Sequence, residues 1–206
     1  MYYTTLNKIR GFDPCQDGWK KLLRNLGKTE PDDDPISLMA IFESNGLDDA
    51  VWCLRSVDGI EKDARLFAVW CCRQMQSLLT DDRSTNAIDV AERFANGQST
   101  DEELESAYSA ALQAFNDAST MAARDAAKTA ANSAAKNDVL CDAVIAATKG
   151  SAVSLALFES AKAAANAKPK TSARSAARAV AWGETMQKAR EAQKDEFRRM
   201  FGGPNV

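Results

Sequence analysis

Between Ala122 and Asn137 the chain reads AARDAAKTAANSAAKN, a four-residue repeat of the form Ala-Ala-x-x. No other feature narrows the fold as much. Alanine has the highest helix propensity and almost no side-chain entropy to lose. A helical residue turns the chain by about 100°, so a four-residue period overshoots one turn by about 40°. The alanine pairs therefore trace a narrow, slowly rotating stripe. Helices meeting along such a stripe approach to the low end of the usual ~8–10 Å separation. Simple propensity in a solvated helix accounts for the repeat about as well. The alanine-rich character continues through SAVSLALFESAKAAANAK, and a last helical run is expected from Thr171 to Phe201, with GGPNV as a frayed end. One unbroken helix from Asp101 to Gly150 would be about 75 Å long and would overhang a compact domain. Breaks are therefore expected near Asn116–Thr120 and Asn137–Asp138, folding the segment into antiparallel hairpins.

The first half reads as shorter helices between clear stops. Residues Gln16 to Leu26 place Trp19, Leu22, Leu23 and Leu26 on one face before Gly27. After the polar loop KTEPDDD, Asp34 is expected to cap a helix that starts at Pro35 and ends at Asn45-Gly46. A third helix is expected over Asp48–Val57 with Val51, Trp52 and Leu54 buried. A fourth, over Glu61–Leu79, is apolar around most of its circumference from Leu66 to Cys72, which suits the centre of a bundle. A fifth starts at Asp82 or Ser84. Ser99 and Thr100 stand three residues before Glu102 and Glu103, so a capping box predicts a helix beginning near Asp101.

The fold class that follows is all-α: a multi-helix bundle with a helical, Ala-rich C-terminal half. Residues 1–115 form the expected bundle core, and 116–206 an Ala-rich hairpin region packed on it or continuous with it. Five cysteines, an odd number at irregular spacing, are read as reduced and mostly buried rather than as a disulfide framework. With no apolar leader and no recognisable membrane-length apolar run, the protein is expected to be soluble and cytoplasmic.

The formal charge of −3 argues against general nucleic-acid binding, which requires positive surface. The charge is uneven. From Lys162 to Val206 ten Lys/Arg stand against four Asp/Glu, and from Asp101 to Gly150 four stand against eight. A basic tail can touch an acidic partner or a nucleic acid, although a solvated helical face is the simpler explanation.

The chain contains no histidine. This removes Ser-His and Cys-His nucleophilic sites, His-ligated zinc and the commonest general base. There is no Cys-x-x-Cys pair and no phosphate-binding glycine motif; the glycines are read as helix stops. Carboxylate runs occur at Asp32–Asp34, Asp48–Asp49 and Asp81–Asp82, all at expected helix N-termini, where the dipole favours negative charge without any catalytic role. No catalytic residue, metal ligand or cofactor is assigned. The residues offered to a partner are Trp19 and Trp182, which sit in more polar surroundings than Trp52 and Trp70, the acidic loop Glu30, Asp32, Asp33 and Asp34, and the basic Arg190, Arg198 and Arg199.

The segment DDRSTNAIDVAERFANGQSTDEELESAYSAALQAF, Asp81 to Phe115, resembles bacterial immunity proteins of the immunity-five-like group. In that group a D-x-R-x-x-x-A-I segment leads through a helix to A-x-G, and here Asp81, Arg83, Ala87, Ile88, Ala95 and Gly97 stand at those places. The stretches LNKIRGFDPCQDGWKKLLRNLGK and SNGLDDAVWCLRSV look like hypothetical proteins of phages and prophages. The resemblance implies an all-helical fold and neutralisation of a toxin, and transfers no catalytic residue. The expected function is a non-enzymatic inhibitor that binds a protein, either a toxin or a host-defence complex in the manner of a phage anti-CRISPR, acting as a monomer or homodimer without a membrane. The alternatives are a phage structural or assembly protein that oligomerises through the Ala-rich helices, and nucleic-acid binding through the basic C-terminal helix.

Overall fold

The structure is a computed structural model that describes residues 1–167 and 171–203. The expected tail GGPNV therefore lies partly outside the described residues. A two-residue strand β1 (Tyr3–Thr4) opens the chain and is followed by α1 (Leu6–Arg10) and α2 (Gln16–Asn25). Then come β2 (Ile36–Ser37), α3 (Leu38–Asn45), α4 (Leu47–Cys53), α5 (Glu61–Arg73), α6 (Asp82–Ala95) and α7 (Asp101–Asp117). The remainder is α8 (Met121–Ser133), α9 (Leu140–Asn166) and α10 (Thr171–Phe201). The fold is all-α, and among the described residues its sheet is a single antiparallel pair, Tyr3 opposite Ser37 and Thr4 opposite Ile36.

That pair corrects the start of α3. Asp34 does not cap a helix at Pro35. Ile36 and Ser37 stay extended on β1, and the Leu38 N–H donates to the Tyr2 carbonyl at 2.9 Å. Ser37 is the cap, its hydroxyl accepting from Ala40 N at 3.1 Å. The third and fourth expected helices are also shorter. The chain tightens into 3-10 turns at Leu54–Ser56 and Gln76–Leu78, so α4 ends at Cys53 and α5 at Arg73. Gly46 ends α3 with φ 96°, a left-handed conformation that an L side chain resists.

The start of α7 matches expectation: Thr100 caps it, and a reciprocal capping box joins Thr100 and Glu103. Both expected breaks also occur, at Ala118–Thr120 and across Ala134–Val139. Short links make α6, α7, α8, α9 and α10 successive antiparallel neighbours, as in up-and-down bundles. Helix α5 lies against α6, α8 and α9 and meets the end of α10, so the helix expected at the centre of the bundle is central.

The alanine repeat faces inward. Ala126, Ala127, Ala130, Ala131, Ala134 and Ala135 are buried, while Arg124, Lys128 and Lys136 between the pairs are exposed. The stripe is thus an interface within the fold. Gly150 shows how close that packing is. It does not stop a helix but lies inside α9, where a Cβ would overlap the Thr129 side chain of α8. Gly18 and Gly183 are likewise within helices.

Helix α9 also corrects the expectation about apolar runs. The segment Asn137–Asn166 is long and apolar enough, by length and composition, to cross a membrane. Half of its apolar window is buried inside the fold, and that surface includes Thr148, Ser151 and Ser154. Many alanines of modest hydropathy reach the same total as a few leucines.

Candidate functional site

Helices α9 and α10 form an antiparallel arm. On α9, Ala152, Ala156, Ser160 and Ala164 recur every fourth residue and are buried. On α10, Ala173, Ala177, Ala181, Thr185 and Ala189 are half-buried at the same interval. Small side chains at these positions keep steric bulk out of the contact between the two helices. Helix α10 runs along α9 and reaches α3 and α5 only at its far end. No residue from Thr171 to Ala192 is buried, whereas Gln193, Glu196, Phe197 and Phe201 are.

The arm carries large apolar side chains in solvent: Val180 is 58%, Phe158 43% and Trp182 37% exposed. Val180 and Trp182 are two residues apart and so lie about 200° apart around α10. The arm is therefore apolar on more than one side. Trp182, expected as a partner anchor, is here.

Trp19 lies elsewhere, in a cleft of about 160 Å³ formed by α1, α2, α3, α4 and α9. Ile9, Leu22, Ile41 and Ile145 contribute apolar lining, Trp19 and Trp52 are aromatic walls, and Asp48, Asp49 and Lys149 bring charge. Asn45 Nδ2 donates to Asp49 Oδ2 and to the Gly18 carbonyl, each at 2.8 Å. The Arg10 guanidinium stands 5.5 Å from the Trp19 ring centre, and that of Arg55 4.6 Å from Trp52. Trp52 and Trp70 are half-buried against the core rather than within it.

The acidic loop is held internally. Lys28 Nζ donates to Asp32 Oδ2 at 2.5 Å and to Asp34 Oδ2 at 2.7 Å. The hydrogen bond from Lys28 keeps the Asp32 carboxyl below the usual range. Glu30 and Asp33 remain exposed without an ion pair among the described residues.

Of the basic candidates, Arg190 and Arg198 tie α10 to α4 and α3, while Arg199 pairs within α10. Arg190 Nη2 donates to Asp48 Oδ1 at 2.5 Å, and Arg198 pairs with Asp195 at 2.9 Å and lies 3.9 Å from Glu43. Arg199 grips Glu196 with two hydrogen bonds at 2.5 and 2.7 Å. Trp19, Trp182 and the acidic loop thus occupy separate parts of the molecule.

Asp81 and Arg83, which carried the family resemblance, also have a structural task. Asp81 caps α6 and receives two side-chain hydrogen bonds from Arg83, at 2.9 and 2.6 Å. Arg83 then reaches Asp117 at the end of α7, at 2.8 Å. Of the five thiols, Cys53, Cys71 and Cys72 are buried and Cys15 is exposed. Burial pushes Cys53 and Cys71 up to about 12. Among the described residues, no three His, Cys, Asp or Glu side chains are grouped to hold a metal ion.

Sequence reasoning missed four residues of these surfaces. Asp49 looked like a helix-start acid and Trp52 like core, yet they stand three apart on one face of α4 and both line the cleft. Phe158 and Val180 were hidden in alanine-rich runs; their signal was bulk where neighbours are small. Comparison with family models, curated proteins and solved structures returns no match.

Proposed function

We propose that this chain is a non-enzymatic protein-binding inhibitor, acting as an immunity protein against a toxin or as a phage factor against a host-defence complex. The carrying observation is the arm, on which Trp182, Val180 and Phe158 stand exposed beyond the buried end of α10. Large apolar side chains on a helical surface serve as interface anchors when a partner desolvates them. The absence of histidine from the sequence and the Asp81–Gly97 resemblance support the same reading.

The test is affinity capture from the native host with wild-type protein and with Val180→Asp/Trp182→Asp, followed by mass spectrometry. A specific protein captured by the wild type and reduced at least about tenfold by the double variant is expected, as for hot-spot loss. Capture unchanged by the variant removes the arm from the interface. A second reading, self-assembly through α9 and α10, is favoured by apolar exposure on more than one side of the arm. Light scattering separates the two: an inhibitor is a monomer or dimer, an assembly protein a larger symmetric particle.

A further inference from the structure

The exposed side chains of the arm, Trp182, Val180 and Phe158, do not line the cleft between Trp19 and Trp52, and the cleft has a chemistry of its own. Its volume of about 160 Å³ is small against the ~300–1,000 Å³ of pockets for drug-sized ligands. It suits one side chain. The apolar lining favours a hydrocarbon stem. Arg10 and Arg55 already stack on the two tryptophans, and neither lines the cleft. The rings therefore meet an occupant as apolar walls rather than as its main source of charge stabilisation.

The charge comes from Asp49. Asp48 is neutralised by Arg190 at 2.5 Å. Asp49 is half-buried, and the partner of its Oδ2 is the neutral amide of Asn45. No lysine or arginine lies within ion-pair distance of Asp49 among the described residues. Its position is fixed from two sides: Asn45 holds it, and α2 comes so close at Gly18 that a Cβ there would stand 2.9 Å from Asp49 Oδ2. A fixed, partly desolvated carboxylate at an apolar slot is pre-organised for a cation on an aliphatic stem.

We infer that this cleft receives one basic side chain, lysine or arginine, of a protein partner, with its methylene stem between Trp19 and Trp52 and its charged head at Asp49. The identity of the occupant as part of a protein rests on the protein-binding reading above. The recognition chemistry can be measured without any partner, so its failure is distinct from failure of capture by the arm. Lys149 at the rim opposes an incoming cation and weakens the site.

The probe is n-butylguanidinium, titrated into ¹⁵N-labelled full-length protein while the four indole N–H resonances are followed by NMR. The signals of Trp19 and Trp52 should move along one saturable curve, with Trp70 and Trp182 stationary as internal controls. n-Butanol, with the same stem and no charge, should bind at least about tenfold more weakly. Asp49→Asn should lose a similar factor with Trp70 and Trp182 unshifted, and Lys149→Glu should tighten binding. If Asp49→Asn disturbs the control resonances, Lys149→Glu decides. Equal response to n-butanol, no movement of Trp19 and Trp52, or affinity indifferent to both substitutions overturns the proposal.

Discussion

Arg65 leaves α5 at a position only 1% exposed, and among the described residues no carboxylate is within ion-pair distance of it. Its guanidinium instead donates to the carbonyls of Ser133 and Ala135, at 2.9 and 2.7 Å, and to Asn137 Oδ1 at 2.7 Å. These acceptors lie where α8 ends, and helix ends leave carbonyls without partners and carry partial negative charge. The Phe94 ring lies 5.0 Å from the guanidinium carbon. Desolvation still costs the cation, pulling Arg65 down to about 10, while the charge of Asp101 opposes that shift. Arg65→Met fills the space but leaves two buried carbonyls unpaired. At about 1–3 kcal/mol for each unsatisfied group, the loss should be about 3 kcal/mol overall. Arg65→Lys should recover only part of it, since one ammonium cannot reproduce the planar fork. Urea unfolding measures this as a lowered midpoint at unchanged slope. A Met variant as stable as wild type would mean that these carbonyls find other donors.

Two glycines inside helices separate propensity from packing. Gly183, on the arm, has nothing within 4 Å of where a Cβ would stand, whereas at Gly150 that Cβ would overlap Thr129. Gly183→Ala should therefore stabilise by roughly 0.5–1 kcal/mol through chain entropy and propensity. Gly150→Ala should destabilise by about 1–2 kcal/mol through overpacking between α8 and α9. Removing the obstacle with Thr129→Ala should make the two changes non-additive in a double-mutant cycle. A stabilising Gly150→Ala would show that the helices separate freely there. The sequence presents both glycines as the same kind of interruption, because the difference lies in the neighbouring helix. Local signals were legible for a related reason: the capping box at Thr100, the breaks after α7 and α8 and the whole of α10 depend on residues a few positions apart. The start of α3 was not legible, because Ile36 and Ser37 follow a partner more than thirty residues away. The cleft was half visible. Trp19 announced itself by composition, but Asp49 and Trp52 become a site only once α2 and α9 close around α4.

At the scale of the whole molecule, the last helix completes the core made by the first ones. Phe197 stacks on Phe42 of α3 at 5.3 Å between ring centres and meets the edge of Phe67 of α5 at 5.6 Å. Phe201 lies 5.9 Å from Phe67 and 6.0 Å from Tyr2, next to β1. One cluster of buried side chains therefore runs from Leu6 through α5 and α8 to Phe201. The arm is the part of α9 and α10 left outside it. This division separates stability from binding. Phe197→Ala should cost about 3–5 kcal/mol, as large-to-small changes of buried aromatics do. Because the cluster is shared, the loss should shift the whole unfolding curve. Tryptophan fluorescence, reporting mainly Trp19, Trp52 and Trp70 in the first half, and far-UV circular dichroism, dominated by the long helices of the second, should keep one common midpoint. Val180→Asp, on the arm, should move that midpoint by less than about 0.5 kcal/mol, as surface substitutions do. Two separate transitions in Phe197→Ala would instead mean that the early helices hold their own core and α10 is only docked on it. A common midpoint means that an anchor lost from the arm can be read as lost binding, because the fold that carries the arm remains intact.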